Sequence, residues 1–311
     1  MNLKNVLIPI LNKLPYVRGL YKTKLKLEKE KNQYWDNAYY PPAHYHSPIV
    51  SVEDLKKRES EIWKKDDGGE IAGINLRASE QIELLRQFVP YYNELPFTAE
   101  KQDHLRYQFN NGFYSYTDGI VLYSIIRHFK PKRIIEIGSG FSSALMLDAN
   151  ELFFDNDISL TFIEPYPDRL HSLMTDKDRS EATIYESRVQ SVSPDVFKKL
   201  QAGDILFVDS SHVVKTGSDV NYVLFDILPV LNSGVLIHFH DVFYPFEYPK
   251  DWVYLGRNWN EDYFLKAFLM YNEAYEIQLF SGYLHRFHKD TFKEMPLTYE
   301  NKGANLWLKK K

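Results

Sequence analysis

Short apolar runs alternate with amphipathic stretches from about Tyr116 to Val242. The apolar runs are too short for buried helices and predict strands, whereas the stretches between them have the spacing of half-buried helices. The predicted strands cover 133–138, 159–165, 182–187, 204–210 and 234–242, and the helix before the last of them is predicted over 218–231. Strands that are apolar on both faces and separated by helices indicate a parallel sheet covered on both sides. We therefore predict a doubly wound α/β fold.

The pattern changes beyond Asp241. An aromatic segment is followed by a predicted helix over 261–272, a predicted strand over 275–280 and a last apolar segment over 306–310. The last two are expected to pair as an antiparallel hairpin at the sheet edge. The complete prediction is a Rossmann-like, mostly parallel seven-stranded sheet with helices on both faces.

Residues 1–100 lack this alternation and are expected to form a basic arm and a helical cap, with one helix predicted over 52–65, before a main domain over 101–311. The first 27 residues carry six bases and no acid before Glu28. Their mixture of leucine, isoleucine, valine and bases suits contact with an anionic membrane surface or a partner. A helix that packs on its own domain explains the pattern equally well.

Composition narrows the classes of partner and compartment. A formal net charge of −4 with interspersed signs argues against a nucleic-acid-binding protein. The chain has no cysteine, which fits a reducing compartment, so we expect a cytoplasmic protein, with peripheral contact at the inner membrane face as the alternative. Aromatic residues make up 15% of the chain, and tyrosine in particular suits sugar or aromatic ligands.

The turn after the first predicted strand reads EIGSGFSS, from Glu136 to Ser143. Glycines at the first βα turn let the backbone approach a ligand closely. A dinucleotide-binding turn would have a third glycine or alanine where Ser143 stands, and an acid at Glu136 would repel a pyrophosphate. This turn therefore favours a ligand with a positively charged end.

EIGSGFSS resembles the first motif of class I S-adenosylmethionine-dependent methyltransferases. The resemblance implies that Glu136 anchors the methionine end of S-adenosyl-L-methionine and that Ser142 contacts it. It further implies a backbone lining by Gly138, Ser139 and Gly140. Glu164 ends the second predicted strand about 24 residues after Gly140, where an acid can hold the ribose hydroxyls. Gln190, after the third strand, is a candidate for the adenine.

The fourth and fifth predicted strands end in DSSH and HFHD, which bring Asp209, His212, His240 and Asp241 to one rim. Catechol-type O-methyltransferases, which this rim resembles, hold Mg²⁺ with acids at these two strand ends. They have a lysine base where this chain has His212 and an asparagine where it has Val242. An imidazole titrates near pH 6.5, so we predict that His212 is the general base. Asp209 and Asp241 are the predicted catalytic acids and Mg²⁺ ligands.

The DSSH segment with Asp219 behind it also resembles the methyltransferase 24 family, over residues 110–245. That resemblance implies that the segment before the first strand closes over the cofactor, with Tyr116 as a binding candidate and Tyr114 and Asp118 behind it. One of His238 and His240 is expected to be a core residue.

The aromatic segment after Asp241 lies at the mouth of this predicted site, as a lid over an acceptor would. We therefore predict methyl transfer to a hydroxyl of a sugar, a glycan or a similar small molecule. The segment could instead form a contact between copies of the chain. Two other classes stay open, a nicotinamide-dependent sugar oxidoreductase and a non-catalytic binding module of the same fold.

Overall fold

The computed structural model of the protein describes residues 15–35, 38–64 and 68–311. It divides into two compact units, one up to Ile62 and one from Trp63 to Lys311. The predicted domain boundary near residue 100 stays a prediction, although the helix over 78–92 lies within the second unit. The first 14 residues of the predicted basic arm lie outside the described residues.

The first unit contains three helices among its described residues, α1 (Pro15–Trp35), α2 (Val52–Lys57) and α3 (Glu59–Ile62). The side chain of Ser51 accepts a hydrogen bond from the Asp54 amide and so caps α2. The sequence predicted one helix over 52–65, and the structure breaks it at Arg58. None of the helices in the described part of the chain is both long enough and apolar enough to cross a membrane.

The second unit is built on a seven-stranded sheet with the order β3-β2-β1-β4-β5-β7-β6. The strands are β1 (Arg133–Ile137), β2 (Ser159–Ile163), β3 (Thr183–Tyr185), β4 (Ile205–Val208), β5 (Leu236–His240), β6 (Tyr275–Phe280) and β7 (Asn305–Lys310). β1 to β5 pair in parallel. The predicted fold class, a mostly parallel doubly wound sheet, is confirmed.

The last two strands are antiparallel, as predicted. β7 pairs with β5 on one side and with β6 on the other. The chain therefore forms the edge strand β6 first and then returns as β7 between β6 and β5. The two strands are not joined by a tight turn, because the helical segments 281–287, 289–292 and 296–300 lie between them. This return brings the segment before β7 to the carboxyl end of β5.

The helices of the second unit fill the connections between strands. They are α4 (Ala78–Tyr92), α5 (Tyr116–Phe129), α6 (Phe141–Phe154), α7 (Asp168–Leu173), α8 (Asp176–Glu181), α9 (Pro194–Phe197), α10 (Asp219–Tyr222), α11 (Lys250–Tyr254), α12 (Glu261–Leu269), α13 (Ser281–Phe287) and α14 (Pro296–Glu300). One helix was predicted over 218–231, but α10 gives way to a π-helical turn at 223–227 and a 3₁₀ turn at 228–230. Pro229, which has no amide hydrogen, lies in that last turn.

The central strands are buried on both faces, which explains their continuous apolar runs. All four residues of β4 and all five of β5 are buried, including two histidines of β5. The polar residues that end these strands cannot continue into the core, so they emerge together at the carboxyl edge of the sheet.

Candidate functional site

Two cavities open at the carboxyl edge of the sheet, where the strand order reverses between β1 and β4. Crevices of this kind are the usual ligand sites of open α/β sheets. We call them the aromatic cavity, about 560 Å³, and the loop cavity, about 630 Å³. Asp209 lines both of them, so the two spaces meet at the end of β4.

Gly138 forms the turn between the two cavities. Its φ is +82°, and a Cβ added there would lie 1.9 Å from the carbonyl oxygen of Asp209. The Gly138 amide donates to the Ile163 carbonyl, and the Asp209 amide donates to the Ile137 carbonyl. Two features therefore require glycine at the first glycine position of the motif. Its backbone is left-handed, and β4 approaches too closely to leave room for a Cβ atom.

Glu136 is fully buried and lines neither cavity. Its carboxylate accepts hydrogen bonds from Ser142, at 2.5 Å, and from Ser143. Burial raises its pKa to about 8, against the lowering effect of the serine hydroxyls. The structure thus places Glu136 behind the turn, where it ties the start of α6 to β1, and leaves Ser139, Gly140 and Ser142 facing the aromatic cavity.

The loop cavity is bounded by the ends of β1 and β2 and by the loops around residues 188–190 and 215–219. The predicted residues Gly138, Glu164 and Gln190 all line it. Glu164 accepts the backbone amides of Ser139, at 3.0 Å, and Tyr166, at 2.8 Å, which fixes its carboxylate at the rim. The Gln190 amide group donates to the carbonyl of Gly217 across the cavity's outer wall.

Asp219 lines the loop cavity and holds the segment after β4. Its carboxylate accepts the amide of Ser211 at 2.7 Å and the Ser211 hydroxyl at 2.6 Å. The acid that follows the DSSH segment in the sequence thus acts on the conformation of that segment.

The aromatic cavity lies on the other side of Asp209. Phe113, Phe243, Trp252 and Trp259 supply its aromatic walls, and Asp118, His240 and Asp241 lie at its inner end. Three cationic side chains, Arg169, Arg257 and Lys302, also line it. The aromatic segment predicted to cover the site does contribute four residues, Phe243, Trp252, Arg257 and Trp259.

Four side chains converge where the cavities meet, and we call Asp209, His212, His240 and Asp241 the carboxylate–histidine cluster. Nε2 of His212 lies 3.4 Å from Oδ1 of Asp209 and 3.7 Å from Oδ2 of Asp241. Nδ1 of His240 lies 3.5 Å and 3.9 Å from the same two oxygens. The four atoms thus alternate around a ring, each imidazole nitrogen next to both carboxylates.

The outer nitrogens of the two imidazoles face further acids. Nδ1 of His212 lies 2.9 Å from Oε2 of Glu261, which also accepts the Ser210 hydroxyl. Nε2 of His240 lies 4.0 Å from Oδ2 of Asp118, which is buried against the backbone of Ala304. Each histidine is therefore held between carboxylates on both sides.

These carboxylates control the charge of the cluster. Burial by itself lowers the pKa of His212, but Asp209 and Glu261 outweigh it and raise that pKa well above its ordinary value. Burial also lowers the pKa of His240, but Asp241 and Asp209 have the larger, opposite effect and raise this pKa to about 9. Burial raises the pKa of Asp209, but the two histidines have the larger effect and lower this pKa below its ordinary value. The carboxylates thus favour the protonated, cationic form of both histidines.

His212 lines neither cavity and is 5% exposed. Its ring lies against Trp259, with 4.3 Å between ring centroids, and its carbonyl accepts the amides of Asn260 and Glu261 at the start of α12. His212 and Asp241 both have positive φ, at 59° and 55°. Strained non-glycine residues of this kind cluster at functional sites.

Of the remaining predicted residues, Tyr116 lies outside both cavities. Its hydroxyl donates to Asn110 and its ring stacks on Phe109. Tyr114, ranked behind it, lines the aromatic cavity, and its buried hydroxyl has no hydrogen-bond partner. His238 is fully buried between Phe207 and Trp307, as expected for one of the two β5 histidines.

The donor set does not fit the predicted Mg²⁺ site. Mg²⁺ takes oxygen ligands in octahedral geometry, whereas the space between Asp209 and Asp241 is flanked by two imidazole nitrogens. Val242, buried and apolar, offers no side-chain oxygen. Across residues 15–35, 38–64 and 68–311, no group of three or more histidines and carboxylates is arranged to hold a metal ion.

Sequence reasoning did not single out Glu261, Arg169, Arg257 or Lys302. Glu261 reaches His212 from 49 positions away along the chain, through the fold of the aromatic segment. Arg257 could have been found from the sequence, because it is a lone base within the aromatic run WVYLGRNW. Arg169 and Lys302 carried no such signal.

The family Methyltransf_24, described as a methyltransferase domain, matches residues 135–242. An uncharacterized protein of Archaeoglobus fulgidus is 36% identical over 131 residues, which are 41% of this chain and 59% of the archaeal protein. The chain thus spans less than two thirds of that relative. The matched region contains most of β1, all of β2 to β5 and the whole carboxylate–histidine cluster.

Two solved structures are similar over most of their length. The methyltransferase PaMTH1 of Podospora anserina, bound to SAH, has a TM-score of 0.41 and 15% identity, over 78% of this chain and 99% of its own. The O-methyltransferase TomG of Streptomyces achromogenes, in complex with SAM, has a TM-score of 0.41 and 13% identity, over 84% and 99%.

Proposed function

We propose that this chain, whose residues 135–242 are a class I S-adenosylmethionine-dependent methyltransferase domain, transfers a methyl group to a hydroxyl of a small-molecule acceptor. One observation carries the proposal. Asp209 lines both the loop cavity and the aromatic cavity, so ligands in the two spaces would meet beside the carboxylate–histidine cluster. Transfer between two bound molecules requires this kind of meeting point.

The loop cavity and the turn after β1 suit S-adenosylmethionine. Gly138 leaves the backbone bare, the buried hydroxyl of Ser139 has no hydrogen-bond partner, and Glu164 presents a carboxylate where ribose hydroxyls would lie. Gln190 lies on the far wall, at the adenine end. Glu164, whose carboxylate is held at this turn by backbone amides alone, would repel the pyrophosphate of a dinucleotide but not the sulfonium and ammonium of S-adenosylmethionine.

When bound, the cofactor supplies an electrophilic methyl group, so the methyl–sulfur bond breaks with its electrons left on sulfur as the acceptor oxygen bonds to carbon. The chain must hold the acceptor in line and take its hydroxyl proton. Asp209, His240 and Asp241 face the aromatic cavity, and His212 contacts both carboxylates from behind. We assign the proton to this cluster, with His212 as the group that finally carries it.

The acceptor is proposed to be a sugar, a glycan or a similar molecule with a flat or apolar face. The aromatic cavity has room for a group of that size, and its walls are formed by Trp252, Trp259 and Phe243. Aromatic rings at this position also exclude water from the cluster, which strengthens its electrostatic interactions.

We expect S-adenosylhomocysteine to raise the melting temperature and NADH to leave it unchanged. At a ligand concentration about a hundred times the dissociation constant, the stabilisation is about 2.7 kcal/mol. For a unit of this size that corresponds to a rise of about 5–10 °C, measured by differential scanning calorimetry. Stabilisation by NADH alone would instead favour a nicotinamide-dependent sugar oxidoreductase, and stabilisation by neither ligand a non-catalytic binding module.

Contact with an anionic membrane surface is proposed for the first unit. The side chains of Leu20, Leu25 and Leu27 on α1 are 47–59% exposed, and Lys22 and Lys24 lie among them. We expect co-sedimentation with phosphatidylglycerol vesicles that weakens with salt and with the double variant Lys22→Gln, Lys24→Gln. Equal sedimentation with neutral phosphatidylcholine vesicles would contradict an electrostatic contact at a cytoplasmic membrane face.

A further inference from the structure

The aromatic cavity contains cationic side chains that have no acidic partner among the described residues. Arginines with a carboxylate partner lie elsewhere in the described residues: Arg58, Arg77, Arg86, Arg106, Arg127, Arg133 and Arg179. Arg169 and Arg257 have no ion-pair partner among the described residues, and neither has Lys302. All three line the aromatic cavity, so their charges are available to a ligand.

Arg257 is held in place without being neutralised. Its guanidinium lies 4.0 Å from the ring centroid of Trp252 and 4.9 Å from that of Trp259. Contacts with aromatic faces orient the guanidinium plane and leave its hydrogen-bond donors free. Trp259 also packs on His212, so Arg257 is fixed relative to the carboxylate–histidine cluster.

Arg169 belongs to the cofactor end of the cavity. Its Cδ would lie 3.2 Å from a Cβ at Gly140, which places the side chain over the turn after β1. Its guanidinium lies 3.8 Å from the ring centroid of Phe113. The amino-acid end of the cofactor carries a carboxylate, which Arg169 can pair with there. Arg257 and Lys302 then remain for the acceptor.

Lys302 approaches the cavity from the segment before β7. This segment is anchored beside it, because the Ala304 amide donates to Asp118 at 2.9 Å and Gly303 packs on Thr117 and Asp118. The antiparallel return of β7 next to β5 is what brings this lysine to the site.

We propose that the acceptor is an anion whose carboxylate or phosphate is recognised by Arg257 and Lys302, while its hydroxyl faces Asp209 and Asp241. This inference rests on the proposed methyl transfer and specifies its substrate. The positions of the charges also set the orientation, because Arg257 and Lys302 have no acidic partner, whereas the two histidines of the cluster each lie beside both Asp209 and Asp241. The anionic group therefore keeps the hydroxyl at the cluster.

The test is to incubate wild-type protein and methyl-labelled S-adenosylmethionine with polar-metabolite and saccharide extracts of the source cells. The products are then separated by anion exchange at pH 7. We expect the acceptor-dependent label to be retained on the column. Phosphatase treatment releases it if the anion is a phosphate monoester, and coupling of the carboxyl group to an amine with a carbodiimide releases it if the anion is a carboxylate.

Label found only in the unretained, neutral fraction would overturn the inference and leave the proposed methyl transfer intact. Absence of label from every fraction, with S-adenosylhomocysteine still bound, would overturn both. The two failures are therefore distinguishable in one experiment.

Variants assign the recognition to the two side chains. With the retained fraction as acceptor, Arg257→Gln and Lys302→Gln should each raise KM by about tenfold to a hundredfold, the usual effect of losing a hydrogen bond to a charged group. Lys199→Gln, an exposed lysine outside both cavities, is the matched control and should leave KM unchanged. Unchanged KM in both cavity variants would overturn the assignment.

Discussion

Replacement of Gly138 by alanine is expected to abolish cofactor binding and to lower the free energy of unfolding by about 2–6 kcal/mol. The added methyl would lie 1.9 Å from the carbonyl oxygen of Asp209. No side-chain rotation can relieve this clash, because the backbone fixes the positions of both atoms. β1 and β4 would have to separate at the point where the two cavities meet. Urea unfolding and calorimetric titration with S-adenosylhomocysteine measure the two effects.

Gly256→Ala is the matched control for this variant. Gly256 also has a positive φ, of +86°, but no atom lies within 4 Å of the added Cβ, and it lines neither cavity. Gly256→Ala should lower the free energy of unfolding by only about 1 kcal/mol, because of the left-handed backbone, and should bind the cofactor normally. Wild-type cofactor affinity in Gly138→Ala would show that β4 can move away from the turn, and would contradict the close approach as the reason for glycine.

The sheet could be predicted because its strands are buried on both faces. β4 reads as an unbroken apolar run and β5 as an apolar run interrupted by His238, and the turn residues around them mark their ends to within a few residues. The helix over 218–231 was predicted less well. The local pattern there is helical, but Pro229 and the packing of the π-helical turn divide the segment.

Strand ends also made part of the site predictable. Asp209, Asp241 and Glu164 follow apolar runs directly, so a parallel sheet must bring them to one edge. The exposure of each side chain was not predictable in this way. Glu136 lies two positions further back, inside β1 in register with Phe162 and Phe207, and its carboxylate turns inward to two serines at the start of α6.

The basic residues of the aromatic cavity depend on contacts that are distant along the chain. Lys302 reaches the site only because β7 returns between β5 and β6, a topology that no local pattern specifies. The roles of the two histidines likewise depend on which face of the cluster is covered. Trp259 covers His212, whereas His240 faces the cavity.

The raised pKa values of the cluster determine its dependence on pH. The cluster must lose one proton before it can take one from the acceptor, so turnover should rise with pH through an apparent pKa above the ordinary histidine value of about 6.5. Stability should change in the opposite sense. Folding raises the pKa of His240 to about 9, so protonated His240 stabilises the folded state. This contribution to the free energy of unfolding is complete below about pH 6.5 and is lost as the pH rises through about 9.

His212→Ala is expected to lower kcat by about a hundredfold to ten-thousandfold, the usual range for loss of an acid–base group. Affinity for S-adenosylhomocysteine should change little, because His212 lines neither cavity. His212→Gln, which can donate a hydrogen bond to Glu261 but cannot carry the proton, should lose turnover to a similar extent. His104→Ala, an exposed histidine outside both cavities, is the control.

The two histidines can be separated by comparing these variants with His240→Ala. If His212 carries the proton, the rise of kcat with pH disappears in both His212 variants. If both His212 variants instead keep a near-wild-type kcat and His240→Ala loses activity, the proton is carried by His240. Turnover should also persist in excess EDTA, because imidazole nitrogens flank the space between Asp209 and Asp241, where Mg²⁺ would need oxygen ligands. Loss of activity in EDTA that Mn²⁺ or Zn²⁺ restores would instead make the four side chains metal ligands, since imidazole nitrogens and carboxylates suit those ions.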